Sequence, residues 1–89
     1  MENHDFPIYR KAAGGRSYYK ILSLTEVLEL QIIGTRYTWH HLLANIYPEK
    51  VFIGDLIDCT NNSFIRIMEE EYSEFIEHCK SSLEEWNQK

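Results

Sequence analysis

The sequence predicts an α+β fold: a mainly antiparallel, meander-like sheet of five or six strands with one C-terminal amphipathic helix packed on one face. The first observation behind it is the stretch Met68–Trp86, where Tyr72, Phe75, Ile76, Cys79, Leu83 and Trp86 recur at three- and four-residue steps. Glu69, Glu70, Glu71, Glu74, Glu77, Glu84 and Glu85 fill the positions between them, the pattern of a helix with an acidic outer face. The second is that the other apolar stretches read better at period two. The third is the turn chemistry that separates them: Gly14-Gly15, Gly34-Thr35 and the Asn61-Asn62 pair.

Taken in order, Phe6–Ala12 and Ser17–Leu24 flank Ala13-Gly14-Gly15-Arg16 and form a first hairpin, the glycines supplying the positive φ of a tight turn. Its second arm, with Tyr18, Tyr19, Ile21 and Leu22, is rich in the aromatic and branched residues that suit a pleated surface. Thr25–Ile33 alternates, with Leu28, Leu30 and Ile32 on one face and Val27, Glu29, Gln31 and Ile33 on the other. After the Gly34-Thr35 turn, Arg36–Ile46 returns as a strand. Trp39, Leu42, Leu43 and Ile46 also have helical spacing, but Tyr37-Thr38-Trp39 favours the extended form.

Tyr47-Pro48-Glu49-Lys50 reads as a break, because proline lacks an N–H and restricts the residue before it. Val51–Ile57 then reads as another apolar strand with Gly54 as a bulge point. Cys59–Ser63 is a turn, and Phe64–Ile67 a short last strand before the helix. The helix begins without a Ser, Thr, Asp or Asn cap, and three glutamates in its first turn complement the dipole instead. Tyr72, Ile76, Cys79 and Leu83 are expected to face the sheet.

Eighty-nine residues suit a single small domain, and no internal repeat or linker divides them. The 44% hydrophobic and 13% aromatic content argues for a folded chain rather than a disordered one. The net charge of -5 is unevenly spread: residues 1–50 carry six Lys/Arg against five Asp/Glu, whereas the rest carry three against nine. That balance opposes a general nucleic-acid-binding role. The N-terminal Met-Glu-Asn-His-Asp lacks the basic and apolar regions of a secretory signal, and no apolar run approaches membrane-spanning length. The expectation is a cytoplasmic protein with reduced thiols at Cys59 and Cys79.

Catalytic and metal chemistry find little footing. His40 and His41 are neighbours on a predicted strand, so they point to opposite faces and cannot share an ion. Glu74 and His78 share a helix face, yet two ligands without a third seldom hold zinc. Cys59 beside Asp58 and Cys79 beside His78 are neighbours in sequence only, since adjacent helical side chains diverge by about 100°. Neither glycine turn has the Lys and Ser/Thr spacing of a phosphate loop. The reading is therefore a non-enzyme with no cofactor and no metal.

Two binding readings remain. Arg10, Lys11, Arg16 and Lys20 alternate with Tyr9, Tyr18 and Tyr19 along the first hairpin, which could hold a single-stranded nucleic acid by phosphate contact and base stacking. The favoured reading is a protein–protein module, with a protein partner or self-association. A single helix cannot cover both faces of a sheet that also carries Tyr37 and Trp39, so a face that kept such residues in the open would be a partner surface. The candidate binding residues are thus Arg10, Lys11, Arg16, Tyr18, Tyr19, Lys20, Tyr37 and Trp39.

Overall fold

The computed structural model describes residues 5–59 and 62–85. It has six strands, β1 (Ile8–Ala12), β2 (Ser17–Ser23), β3 (Glu26–Ile33), β4 (Arg36–Leu43), β5 (Phe64–Arg66) and β6 (Glu84–Glu85). Two helices, α1 (Tyr47–Asp58) and α2 (Glu69–Ser82), complete it. The strands form one sheet in the order β5-β1-β2-β3-β4-β6. Every pairing is antiparallel except that of β4 with β6. The fold is α+β, as expected, with a meander of four strands at its centre and the acidic helix C-terminal to it.

The register explains why the sheet needs cover on both sides. Tyr19 lies opposite Arg10, and Ile21 lies between Ile8 and Val27, so these residues share one face. Tyr18 and Leu30, paired with one another, point to the opposite face together with Tyr37 and Ile32. Helix α1 seals the first face: Ile53, Leu56 and Ile57 pack with Tyr19, Ile21, Val27 and Ala44. Helix α2 seals the second, where Tyr72 joins Tyr18 and Ile67, and Cys79 joins Leu30 and Tyr37. Of the stripe expected to face the sheet, Tyr72 and Cys79 are buried, and Ile76 and Leu83 are partly buried against the same clusters.

One element differs from its sequence expectation. Val51–Ile57 is not a strand; it belongs to α1, which begins at Tyr47. Proline in the first turn of a helix loses no bond, because that N–H has no intrahelical acceptor, so Pro48 opens the helix instead of breaking the chain. Glu49 reinforces the start: its Oε1 accepts from the backbone N–H of Asn45 at 2.9 Å and of Ile46 at 3.2 Å. The short apolar run is helical because Ile53, Leu56 and Ile57 form a three- and four-step stripe that the sheet can bury. The second helix also overturns the expectation of a single one.

Smaller differences lie at element ends. Strand β4 stops at Leu43 rather than Ile46, because the chain must turn into α1. Helix α2 ends at Ser82, where the N–H of Leu83 bonds the Cys79 carbonyl at 2.9 Å and the backbone becomes extended. The N–H of Glu84 then meets the Thr35 carbonyl at 3.3 Å, placing β6 beside the start of β4. The sixth strand is therefore Glu84–Glu85, not Val51–Ile57. Trp86, read above as the end of the apolar stripe, lies outside the described residues.

Leu56 is fully buried between α1 and the sheet. Leu56→Ala should cost about 2–5 kcal/mol in urea denaturation, the range for truncating a packed core leucine; a loss under about 0.5 kcal/mol would place α1 elsewhere. Burial also pushes the phenols of Tyr19 and Tyr72 up to about 12. Below the unfolded value of about 10 both states keep these protons, and above it only the unfolded chain loses them. Stability should hold up to that value and fall as pH rises from about 10 toward 12, with the urea midpoint dropping in step. A midpoint unchanged across that window would show the two hydroxyls to be solvated.

Candidate binding surface

The basic, tyrosine-rich hairpin is largely engaged in holding the fold together. Arg10 is buried, and its guanidinium caps the C-terminus of α1. Nε donates to the Leu56 carbonyl at 3.0 Å and Nη2 to the Ile57 carbonyl at 2.8 Å. Nη1 donates to the Tyr9 carbonyl at 2.8 Å. The two α1 carbonyls are helix-end acceptors without partners inside the helix, and the cation favours the negative end of its dipole. Desolvation lowers the guanidinium's pKa from its usual value, which such a strong base tolerates without losing its proton.

The other hairpin residues divide between the core and the surface. Lys11 Nζ pairs with Glu71 Oε2 at 2.9 Å, and that bond raises the lysine's pKa. Tyr18 stacks on Phe75 with centroids 3.6 Å apart, while Tyr19 meets Phe52 and Phe64 edge-on. Tyr9 tilts against Tyr72. The aromatic platform that base stacking requires is thus turned inward. Of the remaining two basic residues, Arg16 is exposed in the turn and Lys20 is half-buried. Tyr37 is buried beside Leu30 and Cys79. Trp39 stays on the surface.

What the structure does bring together lies around β4. Each helix covers only part of its face, and the two uncovered parts differ in character. On the α1 side the open strand positions are Glu29, Gln31, Arg36, Thr38 and His40, a polar surface with Ile33 at its end. On the α2 side they include Leu28, Trp39 and Leu43. Trp39, Leu28 and Lys20 line a cleft of about 330 Å³ against Tyr72, Ile76 and Lys80 of α2. At and beyond the end of β4, Leu24, Leu43, Ile46 and Tyr47 are all more than half exposed. A 2.7 Å bond from the Ala44 N–H to the Thr25 carbonyl fixes the turn carrying Leu24 beside that junction.

Among the described residues the outer edge of β4 is open as well. Strand β6 pairs only with Arg36 and Tyr37. The two-residue turn makes Ile33 and Arg36 a hydrogen-bonded pair, and Ala44 bonds inward too, so even-numbered residues face β3. Trp39, His41 and Leu43 therefore direct their backbone groups outward, and no described residue pairs with them. Residues 38–43 contain no Lys, Pro or bulge, the usual guards of an edge. The opposite edge, β5, is three residues long and ends in Arg66.

The chemistry-bearing residues stay apart. His40 Nε2 bonds Gln31 at 3.0 Å on one face, and His41 Nε2 bonds Glu26 at 2.7 Å on the other. Glu74 and His78 are exposed on α2, and among the described residues no group of three His, Cys, Asp or Glu could hold a metal ion. Cys79 is fully buried, and burial pushes its thiol's pKa up, away from the reactive thiolate. Cys59 occupies the left-handed position that ends α1. No protein family, curated protein or solved structure matches the chain.

Sequence reasoning singled out Trp39 but missed Leu24, Leu43 and Ile46. A signal was present: Leu42-Leu43 breaks the alternation of β4, so one of the two leucines must point away from α1. For the hairpin, Arg10→Ala should destabilise the fold by about 2–4 kcal/mol, because it takes the charged donor away from two carbonyls at the end of α1. Arg10→Lys should lie between, since a single ammonium cannot span both acceptors. Urea midpoints of the three proteins check this, and equal stability would remove the capping role.

Proposed function

We propose that this protein is a non-catalytic protein-binding module that accepts an extended polypeptide strand along the outer edge of β4. The observation that carries the reading is the difference between its two uncovered sheet regions. The one beside α1 is polar, as a solvated surface should be, whereas the one beside α2 keeps Leu28, Trp39 and Leu43 and adjoins backbone groups that no described residue pairs. Strand addition uses both features at once: the main chain supplies affinity, and side chains on alternate positions meet the apolar strip. Leu24, Ile46 and Tyr47 near the end of the strand are exposed apolar residues as well.

Single-stranded nucleic acid on the first hairpin is the weaker reading, because Arg10, Lys11, Tyr18 and Tyr19 are already engaged within the fold. A partner protein needs no cofactor or metal. No helix among the described residues is long and apolar enough to cross a membrane, and Cys59 and Cys79 are both free. Free thiols fit the reducing cytoplasm, where we place the protein.

Selection from a displayed library of random peptides tests this reading. Enriched peptides should carry apolar residues at alternate positions, and their binding should protect the amides of Trp39, His41 and Leu43 from hydrogen exchange. His41→Pro should weaken binding at least about tenfold, because it removes an outward N–H without costing the pairing with β3. Peptides that bind equally well to that variant, or a library that yields no binder, would overturn the proposal.

A further inference from the structure

The free edge has definite limits, and they bear on what can occupy it. Among the described residues it starts after Tyr37, the last residue of β4 paired with β6, and ends at Leu43, where the chain turns toward α1. The outward-directed residues within it are Trp39, His41 and Leu43, and His41 is the midpoint. A strand running antiparallel along this window pairs position 39 with its fifth residue and position 43 with its first.

On this basis, and resting on the strand-addition reading above, we infer that the occupant is a second copy of this chain, with β4 paired antiparallel to β4 of the partner about a twofold axis at His41. In that register Trp39 lies opposite Leu43 of the second copy, on the α2 side of a continuous sheet, and the contact occurs twice. Both residues are exposed in the single chain, Trp39 by 36% and Leu43 by 53%, so each covers apolar surface that the other leaves in water. On the α1 side His40 lies opposite Leu42. The pairing uses the whole free window and reaches neither β6 nor the start of α1.

Charge does not oppose this arrangement. Residues 38–43 carry no Lys, Arg, Asp or Glu, so no like charges meet across the axis. The two His41 side chains do approach one another there. Each is held by Glu26 at 2.7 Å, a residue on β3, so the ring leans back over its own sheet. Of the acidic residues of α2, Glu77 lines the Trp39 cleft, where Lys20 and Lys80 also line it, so the charge there is mixed rather than uniformly negative.

The register gives the proposal a specific test. Sedimentation equilibrium of the full chain should show a monomer–dimer equilibrium, and Trp39→Lys or Leu43→Glu should each weaken it at least tenfold. Both side chains are exposed, so the variants should remain folded by circular dichroism. Mixing the two variants should restore dimers, because the introduced lysine of one then meets the introduced glutamate of the other while the second contact keeps its native Leu43 and Trp39. Native mass spectrometry of the mixture should accordingly show the heterodimer in excess over both homodimers. A wild-type chain that stays monomeric, or a mixture without heterodimer excess, would overturn the inference. A chain ending at Glu85 that dimerises where the full chain does not would overturn it for the full protein and assign the edge to residues 86–89. If the wild type is monomeric while selected peptides still bind in a His41→Pro-sensitive way, the second copy fails and the strand-addition reading stands; if both fail, so does that reading.

Discussion

Everything in this fold follows from a sheet that is apolar on both faces. Tyr19, Ile21 and Val27 point one way and Tyr18 and Leu30 the other. Strands of this kind cannot stand with one side in water, so the chain must supply cover twice. Twelve residues of α1 and fourteen of α2 provide it, and neither helix is long enough to span the whole sheet. The uncovered corners are a consequence of that shortage, and sequence composition decides what each becomes. Where the strands offer Glu29, Gln31 and Thr38, the corner is solvated surface. Where they offer Leu28, Trp39 and Leu43, it is a surface that gains by being covered.

The strands and α2 were legible in the sequence because their signals are local. Two-residue and glycine turns mark the meander, period two fixes its faces, and the Tyr72–Cys79 stripe fixes the helix. Helix α1 was not legible, because the seven-residue run Val51–Ile57 carries both patterns and Pro48 has opposite meanings at a break and in a first turn. What decided between them was tertiary: the face with Tyr19, Ile21 and Val27 needed a partner, and a helix supplies one where another strand would not. Having missed α1, the sequence reading could not see that the sheet had a second covered face, nor that the open region would be narrowed to one corner.

The candidate residues are divided between core and surface for a related reason. Residue type indicated Arg10, Lys11, Tyr18 and Tyr19 as a binding platform, yet each of them meets a group distant in sequence: Leu56 and Ile57, Glu71, Phe75, Phe64. Alternation along β1 and β2 also sends the basic residues to different faces, with Arg10 toward α1 and Lys11 and Lys20 toward α2. A basic patch read along the chain is dispersed by the pleat. Trp39 kept its place on the surface because no helix reaches over it.

The Arg10 contacts carry a consequence for the order in which the molecule assembles. They join residues separated by 46 and 47 positions, whereas β2, β3 and β4 are linked by two-residue turns. Closing a loop of that length costs on the order of 3 kcal/mol of chain entropy, and short turns cost far less. The meander is therefore the more accessible nucleus, and the guanidinium stays hydrated until α1 has formed and docked. As the chain leaves the ribosome, β1 waits for its capping partners while four strands are already available to pair, so both apolar faces of the meander wait for cover, and the face that α2 closes waits longest because α2 follows α1 in the chain.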